Sequence, residues 1–190
     1  LRTYASNWLM RINKATSSDD SELLDCGLRA MGYILKNQGK KKEARKVLNQ
    51  KPKGKKGQSI AELQKIATEY GLNVTAININ INDLKKVPLP AIAQVDNRQG
   101  NGVGHYWIIE SVDGEMITIR DQQAPRRFQQ RMGEFEAEWN GNLLVFADDS
   151  NVPGRVISQE EMNEIYGGCC GVQAPESALG YPSFMGPSNN

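Results

Sequence analysis

The chain has 190 residues, 39% of them hydrophobic, with 23 basic and 22 acidic side chains and a formal net charge of +1. That suits one globular domain with a short appendage, and so even a balance points to neither nucleic acid nor a membrane surface as partner. No apolar run approaches the roughly 18–20 residues of a membrane span. Three cysteines, of which Cys169 and Cys170 are adjacent, do not make a disulfide scaffold: an odd count leaves a thiol over, and neighbours bridge only under strain.

In chain order, residues 1–17 read as a lead-in in which Trp8, Leu9 and Ile12 can pack. Ser21 to Asp25 then leads into a helix with apolar side chains at Leu28, Met31, Ile34 and Leu35, stopping at Gly39. From Lys36 to Lys56, ten of 21 residues are Lys or Arg and one is acidic. Broken by Pro52, Gly54 and Gly57, and without interleaved aromatics, this run reads as a solvated helix face and loop more than as a patch for an anionic partner. Ser59 to Tyr70 reads as a second amphipathic helix: Ser59 as N-cap, Glu62 closing a capping box, Ile60, Leu63, Ile66 and Ala67 apolar, Gly71 as the stop. Alternation over 73–81 predicts a strand, followed by a helical turn at Asp83 to Lys86, and Leu89 to Val95 is a further strand. Tyr106 to Val112 and Met116 to Arg120 form a hairpin across Asp113-Gly114. A short strand at Phe128 to Gln130, a brief helix over Gly133 to Trp139 and a last strand at Asn142 to Ala147 follow. Helices first, then a mostly antiparallel sheet, is an α+β architecture.

Three positions carry candidate chemistry. Cys26 stands at the predicted helix start in Asp25-Cys26-Gly27. His105, the only histidine, opens the apolar run Gly104-His105-Tyr106-Trp107, and Asp121 closes the run Met116 to Arg120. A helix N-terminus favours a thiolate, a histidine can take the thiol proton, and a carboxylate can hold the imidazole in one tautomer. Singly, each position also has a structural reading, the cysteine as a small buried hydrophobe and the histidine as a satisfied strand residue. One histidine and no Cys-x-x-Cys leave no ligand set for a metal, and no glycine loop for a phosphate is present. No cofactor is expected.

The order of these motifs resembles the bacteriocin-processing cysteine peptidases, papain-like domains of exporters that cut peptides after a double glycine. The carriers are Asp25-Cys26-Gly27, Leu89-Pro90-Ala91-Ile92-Ala93, Gly104-His105-Tyr106-Trp107, Asp113-Gly114, Ile119-Arg120-Asp121 and Phe135-Glu136-Ala137-Glu138-Trp139 before Leu143-Leu144, over roughly residues 18–147. The resemblance implies a papain-like fold with N-terminal helices packed on the sheet, with Cys26 as nucleophile, His105 as general base and acid, and Asp121 as the orienting carboxylate. It also implies an oxyanion-donating glutamine six residues before the cysteine, where this chain has Asp20. An ionised carboxylate cannot donate, and one lost donor costs about 10²–10³ in rate, so a slow or inactive enzyme is expected.

The C-terminal region, 148–190, reads as a linker, a helix over 157–168 and a flexible tail. In the sense of the family's substrates, the helix matches a double-glycine leader. Ile165, Met162 and Ile157 stand four, seven and twelve positions back from the cut, Glu161 supplies the acidic position, and Gly167-Gly168 the end. On one helix the three apolar side chains fall within an arc of roughly 140° and suit a hydrophobic groove. The plain alternative is an amphipathic helix with glycine as its stop. Two functions follow. One is a cysteine peptidase that cuts after Gly-Gly, acting on a peptide or protein substrate or on its own C-terminal segment. The other is a catalytically weakened module that keeps the groove for docking or for assembly with further copies. A chain opening on Leu1 is consistent with an export signal removed upstream, or with a boundary there.

Overall fold

The computed structural model describes residues 26–51, 57–96, 104–122, 126–147 and 152–168. Among these residues three helices come first: α1 (Cys26–Asn37), α2 (Lys41–Leu48) and α3 (Ile60–Glu69). The predicted apolar positions of α1, Leu28, Met31, Ile34 and Leu35, are all buried, and Gly39 follows at φ 77°. In α3 both halves of the capping box form: Glu62 N donates to Ser59 Oγ at 3.2 Å and Ser59 N to Glu62 Oε2 at 3.0 Å. The basic run contributes α2, which buries only Ala44 and Val47 and turns its lysines to solvent.

Seven strands form one antiparallel sheet. They are β2 (Thr75–Asn78), β3 (Ala91–Val95), β4 (His105–Asp113), β5 (Met116–Asp121), β6 (Arg126–Arg131), β7 (Trp139–Val145) and β8 (Arg155–Val156), in the order β6-β5-β4-β3-β7-β2-β8. A 3-10 turn (Ile81–Lys86) follows β2, and α4 (Met132–Glu136) precedes β7. The sheet is buried on both faces, so β4 reads as a continuous apolar run. Tyr106 and Ile108 face α1, α2 and α3, while Trp107 and Ile109 join Phe135, Trp139, Leu84 and Leu143 on the other side. The papain-like architecture, helices against a large antiparallel sheet, is as expected.

Several boundaries differ from the sequence reading. Asp113 pairs with Met116, so the hairpin loop is Gly114-Glu115, with Gly114 at φ 57°. Strand β6 is longer than predicted, α4 is shorter, and β7 begins at Trp139. Nor is β7 the last strand, since β8 and the short β9 (Tyr166–Gly167) follow it. The 157–168 segment is helical only in α5 (Gln159–Glu164), with Ser158 and Glu161 closing another capping box. Ile157 precedes that helix, and Ile165 leaves it in extended conformation at φ −93°, ψ 106°. The single helical arc is therefore replaced by a helix followed by a strand.

Candidate active site

Cys26 is the first residue of α1 and is fully buried. Two sets of contacts orient that helix. Arg29, one turn on, donates from Nη1 to the carbonyl of Gln122 at 3.2 Å, the residue after Asp121. Tyr33 donates its hydroxyl to Glu110 Oε1, while Arg120 Nε and Arg127 Nε donate to the two Glu110 oxygens. Because β5 runs antiparallel to β4, this order lays α1 along β4 with Tyr33 at Glu110 and the Cys26 turn toward the His105 end. Burial pushes the Glu110 carboxyl up, but the hydrogen bonds from Tyr33, Arg120 and Arg127 outweigh it and hold Glu110 below its ordinary value.

His105 and Asp121 meet on adjacent strands. Ile108 pairs with Arg120, so continuing the register sets Asp121 opposite Trp107 and diagonal to His105, within reach of a long side chain. Asp121 Oδ1 lies 3.1 Å from His105 Nε2, with the side chains 8% and 16% exposed. With the Nε2 proton donated to Asp121, Nδ1 is left as the basic nitrogen. Trp107 packs edge-on to the imidazole, ring centroids 6.3 Å apart. Asp20, the oxyanion position of the sequence reading, lies outside the described residues, as do Cys169 and Cys170. Among the described residues no cluster of His, Cys, Asp and Glu suits a metal ion, and no helix is long and apolar enough to cross a membrane.

The leader-like segment lies against its own chain. Strand β8 pairs with β2, and Ile157 N donates to Ala76 O at 3.0 Å. Ile157 and Met162 are 3% and 5% exposed in the core beneath α3, and Ile165 packs against the same core. Burial of this kind is worth roughly 1.5–3 kcal/mol per side chain before ordering costs. Arg155 brackets Glu161 at 2.7 and 3.1 Å. Beyond α5 the chain straightens between two edges. Ile60 N donates to Ile165 O at 2.9 Å, and β9 pairs antiparallel with β1 (Gln58–Ser59). On the other side Gly104 N donates to Tyr166 O at 3.2 Å and Gly168 N to Gly104 O at 3.0 Å. Gly104 immediately precedes His105.

The groove admits only glycine at its narrow point. A Cβ on Gly167 would run into the Tyr106 ring, and one on Gly57 would strike the Gly167 carbonyl, with Gly168 Cα 2.8 Å away. The Tyr106 hydroxyl donates to the carbonyls of Gln58 at 3.1 Å and Ile165 at 3.3 Å, tying the groove wall to the docked strand. Sequence reasoning missed Gly57, the Gln58–Ser59 strand, Gly104 and Tyr106 as groove residues. The available signals were a glycine before the sole histidine and a glycine directly before the helix-capping stretch.

A buried cysteine opening a helix, laid along an antiparallel sheet whose next strands join a histidine to an aspartate, is the framework of a papain-like cysteine peptidase. The chain belongs to the peptidase C39 family, whose model matches residues 16–151. It is 26% identical over 141 residues to a lactococcin transport/processing ATP-binding protein, LcnC-like, of Lactococcus lactis subsp. lactis (strain IL1403), covering 73% of this chain but 19% of that relative. In fold it is similar to the peptidase domain of Streptococcus ComA, a bi-functional ABC transporter involved in a quorum sensing pathway, with TM-score 0.55 and 19% identity over 66% of this chain and 93% of that one. The N-terminal peptidase C39 like domain of a toxin secretion ATP-binding protein from Vibrio parahaemolyticus gives TM-score 0.52 and 14% identity over 66% and 98%.

Proposed function

We propose that this domain is a cysteine peptidase that cuts after Gly-Gly and that its own Gly168–Cys169 bond is a substrate in cis. Cys26 attacks the Gly168 carbonyl, His105 takes the thiol proton through Nδ1 and returns it to the Cys169 amine, and Asp121 holds the ring through Nε2. Water then hydrolyses the thioester. The observation that carries this reading is the path of residues 165–168, fixed in extended form between Gln58–Ser59 and the residue before His105. A substrate strand held by backbone hydrogen bonds on both edges leaves its last carbonyl at the end of the groove, which suits positioning for attack. His105 stands two residues from Trp107 and Asp121 two from Ile119, both of which face away from α1, so the attack requires the thiol to reach the imidazole around the end of β4.

Asp20 makes the reaction slow. Without the glutamine donor the oxyanion keeps the Cys26 N–H and loses about 10²–10³ in rate. Other peptides with a Gly-Gly end are substrates only when the home segment vacates the groove. A secretion-linked role follows from the exporters to which the chain is similar. The second reading, a docking module without catalysis, is favoured by the extent of the intrachain contact and by Asp20. Intact mass of the purified chain over time separates the two. Products ending at Gly168 and starting at Cys169, absent in Cys26→Ala, support the peptidase; an unchanged chain together with sluggish alkylation of Cys26 supports docking.

A further inference from the structure

We propose that the Gly168 acyl group, once carried on Cys26, is transferred to peptides that begin with cysteine, so that the site joins chains as well as cutting them; this rests on the self-processing reading above. The leaving group is the first feature. Cleavage forms the Cys26 Sγ–Gly168 carbon bond and breaks the bond to the Cys169 nitrogen, which departs as an amine with the proton delivered by His105. The released peptide bears an α-amine and a β-thiol on one residue. Its thiolate attacks the Gly168 thioester and expels the Cys26 thiolate by ordinary thioester exchange. The neighbouring amine then attacks the same carbonyl through a five-membered ring, leaving a Gly–Cys amide and both thiols restored. Nothing is oxidised or reduced, and water enters only in the competing hydrolysis.

The groove supplies the other features. The acyl donor does not leave after cleavage, because Ile157, Met162, β8 and β9 all lie on the N-terminal side of the cut bond and keep their burial and pairing. Its terminal residue is glycine, with no Cβ to hinder an incoming thiol. Cys26 is fully buried, so bulk water reaches the thioester poorly. Thiolates are the stronger nucleophiles, and the cysteine thiol ionises near ambient pH. Under these conditions an amino-terminal cysteine competes with water, and the Gly168–Cys169 bond is remade as well as broken.

The test uses the full chain incubated with a synthetic peptide that starts with cysteine and has a distinctive mass, beside the same peptide starting with serine. The expected result is a new species equal to residues 1–168 joined through an amide to the cysteine peptide, lost with the serine peptide and lost in Cys26→Ala. A Cys169→Ser chain, whose released peptide cannot return, should go to completion where the parent stalls as a mixture. Cleavage to residues 1–168 with no joined species, and equal extents for parent and Cys169→Ser, overturns the transfer while leaving self-processing intact. Absence of both cleavage and joining overturns the two together.

Discussion

Replacing Gly167 by alanine puts a methyl group into the Tyr106 ring, with Tyr106 Cγ 3.0 Å from the new Cβ and two ring carbons nearer still. The ring has little room to yield: Tyr106 is 1% exposed, and its hydroxyl is held by the Gln58 and Ile165 carbonyls. Overpacking of a close contact costs about 1–3 kcal/mol. Since the strand can escape by undocking, that cost appears as a loss of about 5- to 150-fold in the ratio of docked to undocked segment. Hydrogen exchange at the Gly168 and Gly104 amides, which close the bridge, reads the ratio directly in a Cys26→Ala background that keeps the chain whole. Exchange at these amides should accelerate by that factor while amides in β3 and β4 keep their protection. Exchange unchanged within about twofold would refute the groove geometry as the reason for glycine.

Other perturbations address separate parts of the account. Asp20→Gln should raise self-cleavage by about 10²-fold if it restores the oxyanion donor, measured as the rate of appearance of residues 1–168; an unchanged rate removes Asp20 from the explanation. Met162→Asp places a charge among apolar side chains and should abolish exchange protection over 157–168 and slow self-cleavage, whereas retained protection would mean the core contact is not what docks the segment. Glu110 is held below its ordinary carboxyl value of 4.5. A depressed acid contributes stability above its unfolded pKa and loses it as pH falls through the folded one. The Tm advantage of the parent over Glu110→Gln should therefore be constant above pH 4.5 and shrink below it; a difference flat into acid would discount the Tyr33–Glu110–Arg120 link.

The parts legible in the sequence are those governed by local chemistry. Ser59 and Glu62 announce their capping box because both halves lie within one turn, and Gly71 ends the helix at φ 69°. The hairpin around Gly114 is equally local. The His105–Asp121 pair was legible only jointly, since a diagonal contact between strands depends on a register that neither segment states alone. The end of the leader-like helix was not legible. Ile165 satisfies helical spacing, yet the backbone of Gln58 to Ile60 and of Gly104 needs partners. Pairing with Ile165 to Gly168 draws those residues into a strand. Nothing local marks Gln58–Ser59 as that edge, because its partner lies more than a hundred residues away.

The central claim is that Cys26 attacks Gly168 of its own chain, and trapping the thioester tests it most directly. Chain quenched in acid during self-processing should contain a species one water lighter than residues 1–168, in which the Cys26 and Gly168 peptides are joined within one chain. Hydroxylamine should release that link, and its amount relative to total chain should not depend on protein concentration. Cleavage that persists in Cys26→Ala, or a link found only between chains and rising with concentration, would contradict the account.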